Sequence, residues 1–598
     1  MGKTARIVSL VLAAGYSSRM GSFKPLAPLG TSTLIEEAVT RFLRAGIADV
    51  RVVVGHKADE LRPVLELLGV KWIFNAEHGR GMFSSVLAGI KSFEPNVDAF
   101  FLLPCDSPLV NSETIRALLG VYNRDDPKII YPRFDGQRGH PPLIPATYLK
   151  ENLSPDHPGG LHAFLGRYEP NTIDVDVPDE NILLDCDTPS DYRILVERWS
   201  RESIPTEAEC EAVFSRFKVS GQVIAHSRVV AELARMLAVL LNCAGLSLDL
   251  PLILAAGRLH DIARGQPDHA GAGSKLIAQM GYPRVGAVVA KHMDIQSHGP
   301  SVDETDLIYL ADKCVEEDRL VSLEERFKRS ISRYADRPDI LKKIIRRFEE
   351  AQNIGKRIEA FLGRPVDNMI RRCEGSITAA SMGGRRAIYL VRHGAVQSPV
   401  DPKRFIGQLD LPLNGEGFVQ AERLSEALQD MPLSAVFCSD LKRSVDTAQI
   451  IAKPHHVSCI PRLDLREISL GRWEGLSFDE VRKRRPEEFH ARGQDIVHFR
   501  PPEGESFLDC ALRVIPAFYE ILASTRGNVL IVGHAGVNRI ILSQALGRSL
   551  EDLFGIGQEY GCLNVVFHRH SALEVKLLNG SPSDSKRFQP EIYRETNC

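Results

Sequence analysis

Small and basic residues follow one apolar run near the start of the chain. Residues 7–12 are apolar and too few to cross a membrane, which predicts a buried strand. The residues that follow it include Ala13, Ala14, Gly15, Arg19 and Lys24. Small side chains let backbone N–H groups approach phosphate oxygens, and the two cations suit a triphosphate. The spacing predicts a nucleotide-binding loop, with an ordinary strand–turn–helix connection as the alternative.

Carboxylates follow later in the same region. Asp106 comes just after the apolar run 100–103, and Asp185 and Asp187 come shortly before Pro189. Ligands of an open α/β sheet lie beyond the carboxyl ends of its strands. Asp106 is therefore a candidate ligand for a Mg²⁺ ion that also binds phosphate oxygens of the substrate. For Asp185 or Asp187 alone, a solvated helix cap is the alternative.

The composition is that of a folded, multidomain chain. Its 598 residues are 44% hydrophobic and 25% charged, so several domains with sizeable cores are expected. A formal net charge of −3 gives no indication of nucleic-acid or membrane partners. The 11 cysteines include no CxxC pair, and no export signal or membrane span is evident, so we expect a cytoplasmic protein.

The elements that must position these residues change type along the chain. Apolar strands and helical patterns alternate up to about residue 195, which predicts a Rossmann-like α/β domain with helices on both faces of a parallel sheet. From residue 207 the pattern is helical, and 233–254 predicts two buried helices joined by a turn. Residues 371–386 are small and polar and predict a linker, after which strands return. We predict domains at 1–198, 208–368 and 386–598.

The first region resembles the MobA-like nucleotidyltransferases, which are related to molybdopterin cytidylyl- and guanylyltransferases. The resemblance rests on LAAGxSxRMGxxK, on PCDSP at 104–108, on GHP at 139–141 and on DCDTPSD at 185–191. It implies that Asp106 and Asp187 hold Mg²⁺, with Asp185 as a further possibility for that site. The segment 74–86 resembles a family stretch that lies along the nucleotide, which implies contacts from Asn75, Gly81 and Ser84. His140 is implied near the acceptor, or else it is a structural loop histidine.

The middle region resembles the HD metal-dependent phosphohydrolases, which are all-helical. The pattern H…HD…D is made by His226, His260, Asp261 and Asp312. The resemblance implies that these residues hold a divalent metal such as Mn²⁺, Fe²⁺ or Zn²⁺, which would activate water against a phosphoester. His269 and His292 either extend this site or are buried neutral histidines. An HD fold can also serve as a phosphate-ligand sensor or as a scaffold.

The last region resembles the histidine phosphatases, the phosphoglycerate mutase-like α/β enzymes. An apolar strand, 388–391, runs into Arg392-His393-Gly394, and later motifs supply Arg443, Glu467 and His534. The resemblance implies that His393 attacks phosphorus, that Arg392, Arg443 and His534 form the phosphate pocket, and that Glu467 protonates the leaving oxygen. The forms LREISLGRWEG, PEGES and QEYGCLN are more similar to phosphatases, notably α-ribazole phosphatases, than to glycolytic mutases.

Together these features predict a multifunctional enzyme. A nucleotidyl group passes from an NTP, with CTP the first choice, to a phosphorylated acceptor such as molybdopterin, and a phosphohistidine phosphatase acts beside it. One alternative is another acceptor, a sugar phosphate or a cobalamin-pathway intermediate. A second alternative is that the HD domain is a ligand-sensing module that controls the other two. The sequence does not give the oligomeric state.

Overall fold

The computed structural model of the protein describes residues 5–150, 160–296, 299–377, 386–397, 404–569 and 572–584. Two compact units are present: Met1–Ile224 with Leu259–Ala290, and Ala225–Arg258 with Lys291–Cys598. Among the described residues, no helix is both long enough and apolar enough to span a bilayer.

The strands and helices alternate in the first and last regions, whereas helices dominate between them. The strands are β1 (Ile7–Ala13), β2 (Pro28–Leu29), β3 (Ser32–Thr33), β4 (Val50–Val54), β5 (Lys71–Phe74), β6 (Ala99–Pro104), β7 (Ile129–Phe134), β8 (Gln137–Arg138), β9 (Leu143–Pro145), β10 (Thr172–Asp176), β11 (Val315–Glu316), β12 (Arg319–Leu320), β13 (Arg386–Arg392), β14 (Leu433–Ser439), β15 (Cys459–Arg462), β16 (Asn528–Gly533), β17 (Leu563–Arg569) and β18 (Ala572–Gly580). The helices are α1 (Leu34–Arg44), α2 (Ala58–Leu67), α3 (Met82–Lys91), α4 (Ser112–Val121), α5 (Gly160–Gly166), α6 (Pro189–Ser200), α7 (Glu207–Phe217), α8 (Gly221–Cys243), α9 (Leu250–Leu259), α10 (His269–Gln279), α11 (Pro283–Val289), α12 (Glu304–Lys313), α13 (Leu323–Arg333), α14 (Pro338–Leu362), α15 (Val366–Ile377), α16 (Gly415–Leu428), α17 (Lys442–Ala452), α18 (Phe478–Arg484), α19 (Pro486–Gln494), α20 (Phe507–Ser524) and α21 (Ala535–Ala545).

The first unit is organised by an eight-stranded sheet in the order β10-β7-β9-β6-β1-β4-β5, with β8 beside β7. The central strand β1 pairs in parallel with β4 and β6, and β4 pairs in parallel with β5. The short strand β9 is antiparallel to both β6 and β7. The sheet is therefore mixed, whereas the alternation of elements predicted a parallel one.

Both faces of this sheet are buried. Along β1, Val11 belongs to one apolar cluster with Phe42 of α1, while its neighbour Leu10 belongs to another with Val86 of α3. This follows from the alternation of side chains along a strand, and it explains the continuous apolar runs in the sequence. The carboxyl ends of β1, β4, β5 and β6 are left to carry polar loops.

The second unit contains a six-stranded sheet in the order β15-β14-β16-β13-β17-β18. Strand β13 is parallel to β16 and antiparallel to β17. Its buried core is formed by residues such as Tyr389, Leu424 and Val532. Elsewhere in this unit the described residues form mainly helices, beside the short ribbon β11–β12.

The predicted linker is wrong over its first half. Residues 371–377 continue helix α15 rather than forming a loop. Buried Met369, Ile370 and Cys373 lie on α15, and α15 packs against α20, so burial of one apolar face stabilises the helix. Residues 378–385 of the predicted linker lie outside the described part of the chain.

Candidate active sites

The loop after β1 brings Lys24 to two carboxylates that are far apart in sequence. Lys24 Nζ lies 3.1 Å from Asp106 Oδ2 and 2.8 Å from Asp187 Oδ1. Arg19 Nη1 donates to Asp187 Oδ2 at 2.9 Å. Two carboxylates within reach of one cation are a donor set that suits a hard divalent ion such as Mg²⁺. The residues present therefore fit the predicted metal.

Local bonds build this loop and the strand ends beside it. Ser17 Oγ accepts from Lys24 N at 3.0 Å, and Cys186 N donates to Asp106 O at 3.0 Å, which brings the two acidic segments together. Thr188 caps α6, so that Asp187 is fixed just before the helix. A Cβ at Gly15 would meet no atom within 4 Å, so this part of the loop borders open space.

Burial and charge give these groups different proton affinities. Burial raises the pKa of Asp106, and Lys24 opposes that rise. The hydrogen bond from Lys24 lowers the pKa of Asp187. For Lys24 the direction is upward, because hydrogen bonds and charges from both carboxylates outweigh its burial. A cation at this position therefore favours the charged form of both carboxylates.

The structure separates the two acidic candidates at residues 185 and 187. Ser107 Oγ donates to Asp185 Oδ1 at 2.8 Å, whereas Asp187 carries the bonds from Lys24 and Arg19. His140 is mostly buried; burial lowers its pKa, and the nearby charges of Asp185 and Asp106 act in the opposite direction. Its Nδ1 is a buried atom with no hydrogen-bond partner among the described residues. His140 thus lies beside the acidic cluster with bonding capacity to spare.

Asn75 and Ser84 lie inside the protein. Asn75 Nδ2 lies 2.9 Å from Ser84 Oγ, and its Oδ1 accepts from Glu77 N at 2.9 Å. Both side chains are buried. Gly81 has φ +92°, in the region that favours glycine, and immediately precedes α3. These bonds hold the segment between β5 and α3, while a direct contact with nucleotide stays a prediction for all three residues.

Three rings line the other side of the loop after β1, and sequence reasoning missed them. The ring of Tyr16 lies 5.0 Å from that of His56 and 5.4 Å from that of His78, between centroids. His56 follows β4 and His78 follows β5, whereas Asp106 follows β6 on the opposite side of β1. The only sequence signal was their position after predicted strands.

In the helical part of the second unit, His226 of α8 meets Asp312 of α12. His226 Nδ1 lies 2.8 Å from Glu317 O, so this nitrogen carries the hydrogen, and Nε2 presents a lone pair 3.2 Å from Asp312 Oδ1. Two acceptors at this distance require a proton or a metal cation between them. Lys313 Nζ donates to Asp312 Oδ2 at 2.6 Å. The pair fits the predicted metal ligands.

The other HD residues lie in the first unit. His260 and Asp261 follow α9 directly, in a turn. His260 Nε2 lies 3.7 Å from Asp261 Oδ2, and His269 Nε2 lies 3.5 Å from Asp261 Oδ1. Both His260 and Asp261 are buried. Arg264 Nη1 also bonds Asp261 Oδ2, at 2.8 Å.

In the last region, the end of β13 presents a buried imidazole among cations. His393 Nδ1 lies 2.8 Å from Gly394 O, which fixes the hydrogen on Nδ1 and leaves the Nε2 lone pair to react. Arg443 Nε donates to His393 Nε2 at 3.2 Å. The ring of His534, which follows β16, lies 5.0 Å from that of His393.

This pocket has unpaired polar atoms. Both ring nitrogens of His534 and the Nε of Arg392 are buried without a hydrogen-bond partner among the described residues. Glu467 lies at its edge, where its Oε2 accepts from Gly536 N at 3.1 Å. Unpaired buried polar groups are costly, so their concentration at one place indicates a site built for a polar ligand. An anion such as a phosphoryl group matches the cationic lining.

Tyr560 and an amide network hold Arg392, and both were missed at the sequence level as site components. The guanidinium carbon of Arg392 lies 3.7 Å from the centroid of the Tyr560 ring. Arg392 Nη1 donates to Gln558 O at 2.5 Å, and Gln558 bonds buried Asn538 and Asn564. The motif QEYGCLN contains Gln558, Tyr560 and Asn564, although the motif itself indicates none of their contacts.

A first prediction concerns pH. Burial, with the charges of Arg443 and Arg392, lowers the pKa of His393 well below 6.5. The nucleophile must be unprotonated, so kcat/KM for a phosphate monoester is expected to stay high down to pH 6.5 and to fall only below it. The measurement is kcat/KM against pH, corrected for ionisation of the substrate. A limb centred at or above pH 6.5 would contradict the structure, and Arg443→Met should move the limb upward.

The fold and the three sites define a class of protein: a nucleotidyltransferase-type domain and a histidine phosphatase-type domain in one chain, with an HD domain between them. Residues 9–173 match the family model of the MobA-like NTP transferase domain. Residues 223–317 match the HD domain, and residues 388–581 match the histidine phosphatase superfamily, branch 1. The predicted three-part fusion and its fold classes are confirmed.

Individual relatives match part of the chain. The 6-phosphofructo-2-kinase/fructose-2,6-bisphosphatase of Gallus gallus is 35% identical over 170 residues, which are 28% of this chain and 34% of the relative. The 6-phosphofructo-2-kinase/fructose-2,6-bisphosphatase 1 of Homo sapiens is 33% identical over 170 residues, again 28% of this chain and 34% of the relative. The chain thus spans about a third of the length of these relatives. Among solved structures, the α-ribazole phosphatase from Shigella flexneri is 26% identical, with a TM-score of 0.31 over 32% of this chain and 96% of that one.

Proposed function

We propose that the first region transfers a nucleotidyl group from an NTP to a phosphorylated acceptor, with CTP and molybdopterin as the leading pair. The observation that carries this proposal is the convergence of Lys24, Asp106 and Asp187 beyond the end of β1. An acceptor phosphate oxygen bonds to the α-phosphorus, and the bond to pyrophosphate breaks with its electron pair. Asp106 and Asp187 would hold Mg²⁺, which would supply charge neutralisation when bound. Arg19 and Lys24 bind phosphate oxygens, and His140 lies toward the acceptor.

The three rings of Tyr16, His56 and His78 support the choice of base. Because the carboxylates lie beyond β6 and the rings beyond β4 and β5, a nucleotide with its phosphates at Lys24 has room for its base at Tyr16, His56 and His78. His78 Nδ1 lies 3.1 Å from Asn75 O and therefore carries the hydrogen. In the neutral ring Nε2 is then an acceptor. It suits the exocyclic amino group of cytosine and opposes the carbonyl oxygen of uracil.

His78→Phe is expected to remove discrimination between CTP and UTP while keeping an aromatic ring at position 78. In the unmodified protein, CTP should bind about 10- to 100-fold more tightly than UTP, because UTP places an acceptor against Nε2. The measurement is Kd for each nucleotide with Mg²⁺, beside GTP and ITP as a second pair that differs by one amino group. His56→Phe is the matched control and should keep the preference. Equal affinities in the unmodified protein would refute the assignment.

For the last region we propose a phosphomonoesterase that works through a phosphohistidine. His393 Nε2 bonds to phosphorus while the bond to the leaving oxygen breaks, and Glu467 gives that oxygen a proton. Arg392, Arg443 and His534 stabilise charge on the phosphoryl oxygens. Water then attacks the phosphohistidine and releases phosphate. The unprotonated Nε2 of His393 and the unpaired polar atoms around it support this order of steps.

Two arginines support a substrate with a second anionic group. Arg539 of α21 packs over Phe554 and uses Nε to bond Ile556 O at 2.9 Å. Arg492 of α19 packs over Phe405. Within the described residues neither guanidinium has a carboxylate partner, and burial lowers the pKa of both. The relatives are named as bisphosphatases, that is, as enzymes for a substrate with two phosphates, which agrees with a second anionic group on the substrate.

Arg539→Met is expected to raise KM for a doubly anionic phosphoester about 10- to 100-fold, the range for loss of a charge-assisted hydrogen bond. KM for p-nitrophenyl phosphate, which has no second anionic group, should change little. The measurement compares both substrates on the same preparation. Arg548→Met in the turn after α21 is the control. An equal change in KM for the two substrates would rule out a second-anion site at Arg539.

For the HD domain we propose a divalent metal site at His226 and Asp312, which the resemblance extends to His260 and Asp261. The two facing acceptors of His226 and Asp312 support this site. A regulatory role for this domain is the alternative, as is a sugar phosphate or cobalamin-pathway acceptor for the transferase. Metal analysis of the purified chain separates the metal-binding and regulatory proposals for the HD domain, because a domain that binds nucleotide without bound metal favours regulation. We further propose that the protein acts in the cytoplasm.

A further inference from the structure

Arg513, on helix α20, clamps the segment that carries Glu467. Its guanidinium donates to three main-chain oxygens: Asp464 O at 2.8 Å, Arg466 O at 2.8 Å and Glu467 O at 3.0 Å. It also bonds both carboxylate oxygens of Glu505, each at 2.8 Å. Glu505 in turn accepts from Ser469 N at 3.0 Å. The backbone is therefore held on both sides of Glu467 by one partly buried ion pair.

The same helix contacts the helical part of this unit further along its length. Arg235 of α8 lies with its guanidinium carbon 4.2 Å from the centroid of the Tyr519 ring. Both side chains are buried, and Arg235 Nε also bonds Glu232 at 2.8 Å. Tyr519 is six residues beyond Arg513, about 9 Å along the axis and on a different face. Helix α15 packs along α20 as well.

A second contact ties the beginning of α20 to the helical part. Asp509 Oδ1 accepts from Arg364 Nη2 at 3.2 Å, and Arg364 lies between α14 and α15. Asp509 also completes the cap of α20 through Ser506. Helix α20 is thus fixed by the helical part at Asp509 and Tyr519 and itself fixes the Glu467 segment through Arg513.

We propose that α20 is a strut through which the helical part of the chain positions Glu467 for proton donation. Arg513 is the positioning residue at the catalytic end, and Arg235 is the anchor at the other. In the step concerned, the bond from His393 Nε2 to phosphorus forms and the bond to the leaving oxygen breaks. That oxygen keeps the electron pair and takes the proton of Glu467. The inference rests on the phosphatase function proposed above.

The size of the effect follows from geometry. A proton can pass only when donor and acceptor come within hydrogen-bond reach, so a displacement of about 1 Å costs roughly 100-fold in rate. Packed interiors transmit such shifts, since a side chain removed from a filled contact leaves its neighbours free to move. Loss of Arg513 acts directly on the Glu467 segment, and loss of Arg235 acts through Tyr519.

The leaving group provides the test. An alkyl phosphate needs a proton on its leaving oxygen, whereas p-nitrophenyl phosphate has a leaving group stable without one. In the full chain, Arg513→Gln is expected to lower kcat/KM for glycerol phosphate by about 30- to 100-fold and for p-nitrophenyl phosphate by less than about threefold. Glu467→Gln should give the same pattern, and Arg235→Met a smaller version of it. Ser524→Ala, at the exposed end of α20, is the control and should leave the ratio unchanged.

Equal loss with both esters in Arg513→Gln would overturn the positioning role, and an unchanged ratio in Arg235→Met would overturn the anchor. If Arg513→Gln does not fold, Glu505→Gln tests the same clamp from its other partner. Failure of the phosphatase assignment itself looks different. In that case the unmodified protein hydrolyses neither ester and acquires no phosphate on His393.

Discussion

Replacing His393 with alanine is expected to abolish phosphate-monoester hydrolysis, by about 10⁴-fold or more, because no other group can form the covalent intermediate. The imidazole is buried, its hydrogen is fixed on Nδ1 by Gly394 O, and its Nε2 faces Arg443. The unmodified protein should acquire acid-labile radioactive phosphate from a labelled ester, and His393→Ala should not. The measurement pairs this trapping with initial rates of phosphate release.

The exposed His498 provides a matched control. It lies in the same region and bonds Asp495, away from the cationic pocket. His498→Ala should keep both the trapped phosphate and the rate. Trapped phosphate that persists in His393→Ala would place the nucleophile elsewhere and contradict the assignment.

Replacing Asp106 or Asp187 with asparagine is expected to lower nucleotidyl transfer by about a thousandfold, since each carboxylate contributes several kcal/mol of charge stabilisation through the metal. The reason is structural, because both carboxylates converge on Lys24 from separate segments of the chain. The measurement is NTP-dependent pyrophosphate release at saturating Mg²⁺. Phosphatase activity of the same preparations should be unchanged.

Asp185→Asn is the control for this pair of variants. Asp185 differs from Asp187 by two positions in the sequence, but Ser107 holds its side chain. We expect a loss well below that of Asp187→Asn. The opposite order of effects would mean that Asp185, not Asp187, is the metal ligand.

Much of the architecture was predictable because the local signals agree with one another. The strand before the nucleotide loop lies where its apolar run predicted it, and strands and helices alternate through the first region as predicted. The antiparallel strand β9 was not predictable, because three residues carry no sign of the direction of pairing. The helix over 371–377 was missed because its stability comes from packing on α20, which a small, polar stretch does not reveal.

For the sites, sequence motifs gave residue types but not their partners. Arg443 and His534 were inferred from motif order, and the structure brings both to His393. The bond from Lys24 to two carboxylates joins positions 82 and 163 residues apart, which no local pattern encodes. Arg513 and Tyr519 lie on α20, a helix that no sequence motif singled out, and their roles depend on what surrounds them. Long-range contacts of this kind account for most of what sequence reasoning missed.

The central claim is that one chain carries two independent sites, a nucleotidyltransferase and a histidine phosphatase. Product analysis tests it with the purified full chain, Mg²⁺, each of the four NTPs and molybdopterin, using Asp106→Asn and His393→Ala beside the unmodified protein. We predict CTP-dependent pyrophosphate release that is lost only in Asp106→Asn, and phosphatase activity that is lost only in His393→Ala. No turnover with any NTP would contradict the transferase assignment for this acceptor, and loss of both activities in either variant would contradict independent sites.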